Sequence, residues 1–167
     1  MHNETISSVE QLSYLLDETD GAITILANAS AYLNDFLPQI NWVGFYLLEQ
    51  GELRLGPFQG KPACTRIAIG KGVCGAAMAE NRTQRVDDVH AFPGHIACDS
   101  ASNSELVVVL REQNGAPFGV LDIDSPLQSR FSEEDARNME RVAELISAKI
   151  HHTPRRVRTN LAERPGL

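Results

Sequence analysis

Long apolar runs and positive charge are both scarce in this sequence, and each shortage excludes a class of protein. No segment offers the roughly 20 apolar residues that a helix needs to cross a bilayer. The opening MHNETISSVEQL lacks the positive start and apolar run of a secretory signal. Lys and Arg number 15 against 22 Asp and Glu, and the net charge of −7 opposes binding to nucleic acid or an anionic membrane. We expect a cytoplasmic protein whose partners are small molecules or other proteins.

Cysteine is scarce as well, since the 167 residues include three. In a reducing compartment, an odd number of cysteines is poor evidence for a structural disulfide framework. It is better evidence for free core thiols, metal binding or transient redox chemistry. Cys64, Cys74 and Cys98 all lie in the span from Ala63 to Asp99. Because a thiol can exchange electrons with a substrate, this span is the first candidate for a functional site.

The sequence does contain a pattern of helices at its two ends with strands between them. Apolar residues from Ser7 to Leu37 follow helical spacing with a break at 18–21, which predicts two helices, the second ended by Pro38. The stretch 41–60 is rich in aromatic and branched residues around a central Gln50-Gly51, which predicts a β-hairpin.

The rest of the chain predicts shorter elements and one long final helix. Ser132, followed by three acidic residues, marks the start of a helix that we expect to run to about Ile150. The pattern predicts one α+β domain over residues 1–152 and a basic, poorly ordered tail over 153–167. The middle elements are a strand over Thr65–Ile69, a helix over Val73–Glu80, a strand over Gln84–Val86 and a functional loop over Asp87–Asn103.

Two further strands, Glu105–Arg111 and Pro117–Asp124, are joined through Asn114-Gly115, the strongest hairpin signal in the chain. A two-residue turn there pairs Gln113 with Ala116. Counting outward from that pair then fixes which residues face each other along the two strands.

This register places Glu105 opposite Asp124 and Val107 opposite Asp122. Because side chains alternate along a strand, all three acids project from one face. Facing like charges are destabilising, so a metal, a cationic ligand group or a raised pKa must compensate them. A strand end that simply faces water is the alternative, but Val107, Val109 and Val120 make the same face apolar further along. Acids at the rim of an apolar surface suit a pocket.

The cysteines allow several interpretations. Cys74 stands at an expected helix start, where it is either a buried apolar residue or a thiol that the helix N-terminus favours as a thiolate. Cys98 lies in the irregular loop, three residues after His95. A zinc site from the three cysteines with His90 or His95 is a weak alternative, because no C-x-x-C or H-x-x-x-H spacing is present.

Other motifs carry less information. Trp42 and Tyr46 stand four apart on the first predicted strand and therefore share a face, which core packing explains more readily than ligand contact. The glycine-rich IGKGVCG lacks the Lys-Ser/Thr of a phosphate loop and the third glycine of a dinucleotide fingerprint.

Four segments together resemble a known family. NWVGFYLLEQGELRLGPFQGKPAC, GKGVCG, VDDVHAFPGHIACDSASNSELVVVL and GVLDIDSP are similar to the free methionine-(R)-sulfoxide reductases, which are enzymes built on a GAF domain. The resemblance covers roughly Ser7 to Ile150. It implies a central, mainly antiparallel sheet, with the N- and C-terminal helices on one side and a loop-covered ligand pocket on the other.

The resemblance also implies a role for each candidate residue. Cys98 matches the nucleophile and Cys64 the resolving cysteine, while Cys74 matches a third cysteine that can also join disulfides. The positions that match the substrate-binding residues are Glu105, Asp122 and Asp124, for the polar groups and the sulfoxide, and Trp42 and Tyr46, for the methyl end.

The activity implied by the resemblance is thioredoxin-dependent reduction of free L-methionine-(R)-S-oxide, through a cysteine sulfenic acid and an intramolecular disulfide, without a metal or organic cofactor. We also expect a homodimer, because the terminal helices of GAF domains often pair. Two other functions stay open: a GAF domain that binds a small ligand as a sensor, and a thiol redox sensor in which Cys98 is oxidised without an organic substrate.

Overall fold

The computed structural model describes residues 2–94 and 101–152, with side chains over 9–94 and 101–151. Cys98 and the tail 153–167 therefore lie outside the described residues. The helices are α1 (His2–Leu15), α2 (Ala22–Phe36), α3 (Gly72–Glu80) and α4 (Glu133–His152), and a 3-10 turn covers Val89–Ala91. The strands are β1 (Trp42–Glu49), β2 (Glu52–Gln59), β3 (Arg66–Ala68), β4 (Gln84–Val86), β5 (Ser104–Arg111) and β6 (Pro117–Ser125). Every predicted helix and strand is present among them.

The six strands form one antiparallel sheet in the order β3-β2-β1-β6-β5-β4. Strands β1, β6 and β5 therefore lie at its centre. Among the described residues, no helix is both long and apolar enough to cross a bilayer.

One face of the sheet carries the main core, which is covered by α1, α2 and α4. Side chains alternate along a strand, so every second residue of the central strands points into this core. The resulting cluster includes Phe45 from β1, Leu106 and Val108 from β5, and Leu121 and Ile123 from β6. The helices contribute Leu12, Leu16, Ile25, Leu26, Leu33, Met139, Val142 and Ile146.

The N-terminus of α4 is fixed by the predicted Ser132 cap. Its hydroxyl accepts the amide hydrogen of Asp135 at 3.0 Å, and the Asp135 carboxylate accepts the Ser132 amide hydrogen at 2.8 Å. This reciprocal pairing satisfies donors that a helix start leaves open. Arg130 binds the same carboxylate at 3.2 Å and donates twice to the Pro38 carbonyl oxygen, which ties the start of α4 to the end of α2.

The opposite face of the sheet packs against α3. Val107, Val109 and Val120 on this face contact Val73, Ala77 and Met78 of the helix in a second apolar cluster. Gly75 permits this close approach, because a Cβ at that position would lie 2.5 Å from the Ala68 carbonyl oxygen. This second layer is thinner than the helical core, and its polar end holds the candidate site.

The β5–β6 hairpin confirms the predicted register but not the predicted turn. Glu105 faces Asp124 and Val107 faces Asp122, as the outward count requires. The predicted pairing of Gln113 with Ala116 is wrong, because β5 ends at Arg111 and β6 begins at Pro117.

The connection is longer than two residues, and a bulge compensates for it. The Glu112 amide donates to the Ala116 carbonyl oxygen at 2.8 Å, and the Gly115 amide donates to the Glu112 carbonyl oxygen at 2.9 Å. The register shifts between Leu110 and Arg111, which leaves Phe118 as the extra residue of β6. Beyond this bulge the strands pair as an ideal two-residue hairpin would pair them.

Candidate functional site

A pocket opens on the α3 face of the sheet, at the end of β5 and β6 away from their turn. Strands β1, β5 and β6 supply its floor, and α3 with the segment before it supplies one wall. The described lining residues are Trp42, Tyr46, Pro62, Ala63, Ile67, Lys71, Gly72, Val73, Cys74, Ser102, Glu105, Asp122 and Asp124. Six of the eight residues that the sequence singled out line this pocket; of the other two, Cys64 follows the lining residue Ala63 and Cys98 is undescribed.

Three carboxyl groups meet at the pocket floor because of the strand register. Glu105 and Asp122 are buried, with 8% and 6% of their surface exposed, and Asp124 is half-buried. One carboxyl oxygen of Asp122, Oδ1, is buried and has no hydrogen-bond partner among the described residues. The pocket floor is therefore strongly acidic and carries an unsatisfied acceptor.

Burial dominates the protonation of these acids. It raises the pKa of Asp122 to about 6, since a buried carboxylate loses its hydration. Burial also raises the pKa of Glu105 well above its ordinary value, and the charges of Asp122 and Asp124 raise it further. Burial and the neighbouring acids therefore favour a proton on the Glu105–Asp122 pair, which can then act as a hydrogen-bond donor.

Cys74 joins this acidic group from the first turn of α3. Its thiol donates to Oε1 of Glu105 at 3.9 Å, and 4% of the residue is exposed. Burial raises the pKa of Cys74, and the nearby acids, Asp122 first, raise it further. The interpretation that the helix N-terminus favours a thiolate here is therefore wrong, because burial and the acids outweigh the helix. Cys74 is a neutral thiol in the free pocket.

An aromatic wall stands beside the acids. The Trp42 ring stacks on Tyr46 with centroids 6.0 Å apart and on Phe58 with centroids 5.2 Å apart. The Trp42 indole N–H donates to the Lys61 carbonyl oxygen at 3.1 Å, and the Tyr46 hydroxyl donates to the Cys64 carbonyl oxygen at 2.9 Å. The wall therefore also fixes the backbone of segment 61–64.

Sequence reasoning missed Phe58 as part of this wall. The available signal was Gly44, which faces Phe58 across β1 and β2. A Cβ at Gly44 would lie 2.3 Å from the Phe58 Cβ and 2.7 Å from the Trp42 ring. A glycine inside a strand often marks such a close approach.

Two polar lining residues were also missed. Ser102 is buried and accepts a hydrogen bond from the Asn41 side-chain amide at 3.2 Å. Lys71 lies at the exposed rim, immediately before the N-terminus of α3. Nothing in the local sequence distinguishes Ser102, whereas Lys71 is the one basic residue in the singled-out motif IGKGVCG.

The cysteines differ in state and position. Cys64 is disulfide-bonded, whereas Cys74 is a free, buried thiol. Cys64 is half-buried against the α3-side cluster, next to the pocket-lining Ala63. Cys98, the predicted nucleophile, falls outside the described residues, and so does His95.

The alternative zinc site stays untested, because Cys98 and His95 lie outside the described residues. His90 is exposed, and its Nε2 lies 3.1 Å from the side-chain oxygen of Asn103. Cys74, Glu105 and Asp122 instead have ligand atoms within 4.8 Å of one another. The donors that could hold a metal are therefore one thiol and two carboxyl groups.

Both the sequence and the fold are similar to those of known proteins. The sequence profile of the GAF domain matches residues 15–151. Free methionine-R-sulfoxide reductase of Escherichia coli is 57% identical over 117 residues, which cover 70% of this chain and 70% of that protein. The structure of fRMsr of Staphylococcus aureus in complex with substrate superposes with a TM-score of 0.83 at 51% identity, covering 87% of this chain and 95% of that one. Free methionine-R-sulfoxide reductase from Neisseria meningitidis in complex with its substrate superposes with a TM-score of 0.85 at 42% identity, covering 89% of each chain.

The antiparallel sheet, with α1, α2 and α4 on one face and α3 with the pocket on the other, defines a single GAF domain. This confirms the predicted fold class. Among GAF domains, the chain belongs to the free methionine-R-sulfoxide reductase family.

Proposed function

We propose that this protein reduces free L-methionine-(R)-S-oxide to L-methionine, with a thioredoxin-type dithiol as the final reductant. The observation that carries the proposal is the buried group of Glu105 and Asp122 with Asp124, beside the stacked Trp42 and Tyr46. An acidic floor next to an aromatic wall suits a ligand with a cationic end and an apolar end. Relatives of this chain carry the name of that activity.

The substrate's charges explain why the free amino acid is bound. Its α-ammonium group neutralises the clustered acids, which otherwise repel one another and lose hydration. Its carboxylate faces Lys71 and the N-terminus of α3 at the rim, where positive charge and helix dipole favour an anion. A methionine sulfoxide residue inside a peptide has neither charged group, so the same pocket rejects it. The methyl end lies against the rings of Trp42 and Tyr46.

The first chemical step moves oxygen from substrate to protein. The Cys98 thiolate attacks the sulfoxide sulfur while the Glu105 carboxylic acid hydrogen-bonds the sulfoxide oxygen, where negative charge develops. The substrate sulfur gains two electrons and leaves as the thioether of methionine. The sulfur–oxygen bond of the substrate and the transient bond between the two sulfurs then break. The oxygen, with the proton that the carboxylic acid gives up, ends on the Cys98 sulfur as a sulfenic acid, which is the reversible first stage of cysteine oxidation.

The second step converts the sulfenic acid into a disulfide that an external dithiol can reduce. The Cys64 thiol condenses with the sulfenic acid, forming a disulfide and releasing water, and an external dithiol then reduces that disulfide by exchange. The disulfide-bonded state of Cys64 beside a free Cys74 supports Cys64 as the resolving residue. Cys74 lies in the pocket as a neutral thiol and is the alternative resolving residue when Cys64 is absent.

The experiment that tests the proposal is an epimer-resolved assay of the purified, reduced protein with thioredoxin and free methionine sulfoxide. We expect consumption of the R epimer, no consumption of the S epimer, and no turnover in Cys98→Ser. Binding of the R epimer without consumption would instead support a sensor. Full activity in Cys98→Ser would remove Cys98 from the nucleophile role.

A single-turnover measurement isolates the second step. Cys64→Ser should still reduce one equivalent of substrate but lose most thioredoxin-supported turnover, because the sulfenic acid then has no efficient route to a disulfide. Full turnover in this variant would assign resolution to Cys74.

A further inference from the structure

We propose that the reduced protein binds Zn²⁺ between the thiol sulfur of Cys74 and the carboxyl oxygens of Glu105 and Asp122, and that this metal excludes the sulfoxide substrate. The proposal concerns an inhibitory ligand, not a cofactor. Its effect on turnover rests on the proposed function, but the metal site itself does not.

The geometry of the three donors fits a zinc ion. They come from three elements, α3, β5 and β6, and their ligand atoms all lie within 4.8 Å of one another. Zinc binds sulfur at about 2.3 Å and carboxylate oxygen at about 2.0–2.2 Å in tetrahedral geometry, which separates neighbouring ligand atoms by about 3.5 Å. The Cys74 sulfur already lies 3.9 Å from Oε1 of Glu105. Small side-chain adjustments therefore close the site, with the fourth position left for water.

One oxygen of Asp122 lacks a donor in the described part of the chain, although the side chain also hydrogen-bonds Glu105 and Cys74, the other two members of the group. Its Oδ1 is buried in the pocket lining and has no hydrogen-bond partner among the described residues. A buried carboxyl oxygen without a donor is destabilising and rare in folded proteins. A cation at the pocket floor satisfies this oxygen directly.

Donor chemistry selects the class of cation. Burial favours protons on the Cys74 thiol and on the Glu105–Asp122 pair in the free pocket, so zinc must displace them when it binds. The resulting thiolate and two carboxylates present three negative charges, and Zn²⁺ compensates two of them. Sulfur is a soft ligand that favours zinc, whereas Mg²⁺ and Ca²⁺ prefer sites made entirely of oxygen. The site should therefore distinguish Zn²⁺ from Mg²⁺ sharply.

The position of the site dictates its effect on the substrate. Both carboxyl groups contact the substrate in the proposed function: Asp122 belongs to the acidic floor that holds the α-ammonium group, and Glu105 donates to the sulfoxide oxygen. Neither group can coordinate a metal and contact the substrate at the same time, so zinc and substrate compete. The consequence is a reversible, metal-dependent block of the reduced protein.

Cobalt provides a direct test, because Co²⁺ occupies zinc sites and its thiolate complexes absorb in the near ultraviolet. We expect Co²⁺ to give a thiolate charge-transfer band when added to the full-length, reduced protein after removal of the reductant. Equimolar Zn²⁺ should displace it. Cys74→Ser should abolish the band, and Glu105→Gln should weaken Co²⁺ binding at least tenfold.

Matched controls make the assignment specific to Cys74. Cys64→Ser and Cys98→Ser each remove one of the other thiols and should leave the band unchanged. A band that persists in Cys74→Ser, or that disappears in Cys98→Ser, overturns the proposal. Circular dichroism of each variant verifies that a lost band does not reflect unfolding.

Steady-state kinetics test the competition, with thioredoxin as the reductant because small dithiols chelate zinc. Free Zn²⁺ should raise the apparent KM for the R epimer at unchanged kcat, and millimolar Mg²⁺ should have no effect. A fall in kcat at constant KM would contradict competition. If the protein binds Co²⁺ through Cys74 but reduces no sulfoxide, the proposed function is wrong and the metal site stands. If the protein is active but shows no thiolate band, the metal site alone is wrong.

Discussion

Glu105, Asp122 and Asp124 lower the stability of the free protein and favour the binding of a cationic ligand. Burying like charges together is unfavourable, and the raised pKa values of Glu105 and Asp122 record that cost. A cationic ligand recovers part of this free energy when it binds. The same arrangement that destabilises the free pocket therefore makes the bound state selective for a positive charge.

Neutral amides at these positions should weaken substrate binding. In Asp122→Asn and Asp124→Asn, the lost charged hydrogen bond is worth about 1.5–3 kcal/mol, so we expect KM to rise roughly 10- to 100-fold in at least one of these two variants. Glu105→Gln should raise KM less, because the proposed function makes Glu105 a neutral acid. Glu105→Gln should also lower kcat, because an amide is a weaker proton donor. Steady-state kinetics with the free R epimer measure both effects.

The matched control is Glu49→Gln, which neutralises an exposed acid at the far end of β1. It should leave both parameters unchanged. Parent-like kinetics in all three pocket variants would show that the acidic floor does not contact the substrate.

Lys71 is the residue-scale test of carboxylate recognition. Lys71→Met keeps the length and apolar stem of the side chain but removes its charge at the pocket rim. We expect KM to rise by about fivefold, since a partly exposed ion pair contributes about 1 kcal/mol. The decarboxylated analogue of the substrate, which lacks the anion, should bind the parent and the variant equally.

Lys61→Met serves as the control, because Lys61 is exposed and contributes its backbone carbonyl, not its side chain, to the aromatic wall. If Lys71→Met retains the parent KM, or if the analogue also loses affinity, the carboxylate does not face this lysine.

At the scale of elements, β1 links the pocket wall to the cysteine segment. Trp42 and Tyr46 both present rings to the pocket and both donate hydrogen bonds to segment 61–64. Sequence spacing predicted that the two rings share a face. It did not predict the hydrogen bonds, because they depend on the path of a loop that carries no periodic pattern.

Tyr46→Phe separates these two functions of the wall. The ring remains, so substrate binding and the single-turnover rate should change less than twofold. The lost hydrogen bond to the Cys64 carbonyl frees the backbone of the resolving residue, and we expect formation of the Cys64 disulfide to slow by roughly tenfold, the equivalent of about 1.4 kcal/mol. Rapid-quench thiol counting and trapping of the sulfenic acid with a dicarbonyl reagent measure this step.

Phe58→Leu is the complementary change, because it alters the wall without touching a hydrogen bond to segment 61–64. It should raise KM and leave the disulfide step unchanged. Equal disulfide rates in Tyr46→Phe and the parent would show that the hydrogen bond does not position Cys64.

The β5–β6 hairpin shows why some of the site could be predicted from sequence. Side-chain alternation is a local rule, so the common face of the three acids follows once the register is known. The register was obtained from an assumed two-residue turn, and the actual turn differs. Glu105 nevertheless pairs with Asp124 as predicted, because the extra residue Phe118 in β6 compensates for the different turn. No residue near Asn114 indicates that bulge.

The contact between Cys74 and Glu105 was beyond sequence reasoning for a different reason. It joins α3 to β5, while Gly75 of the same helix packs against Ala68 of β3, and such contacts between layers depend on how a helix lies across a sheet. A thiol at a helix start would ordinarily be read as activated. Burial of the thiol, together with the acidic floor beneath the helix, instead raises its pKa.

At the scale of the whole molecule, the two faces of the sheet have different functions: one stabilises the fold and the other forms the ligand pocket. One face supports the large core beneath α1, α2 and α4, and the other supports the thinner cluster that ends at the pocket. Alternation assigns neighbouring residues of one strand to these two roles. Leu121 belongs to the main core and Val120 to the pocket-side cluster, where it faces Tyr46 across β1 and β6.

This division predicts opposite outcomes for two adjacent truncations. Leu121→Ala should lower the free energy of unfolding by about 2–5 kcal/mol and leave the KM of the remaining folded protein unchanged. Val120→Ala should cost less stability, about 2 kcal/mol, but raise KM several-fold, because the gap beneath Tyr46 loosens the aromatic wall. Urea unfolding and steady-state kinetics on the same preparations give both quantities. If KM instead follows stability across the two variants, the pocket depends on the core as a whole, and the two faces of the sheet are not independent.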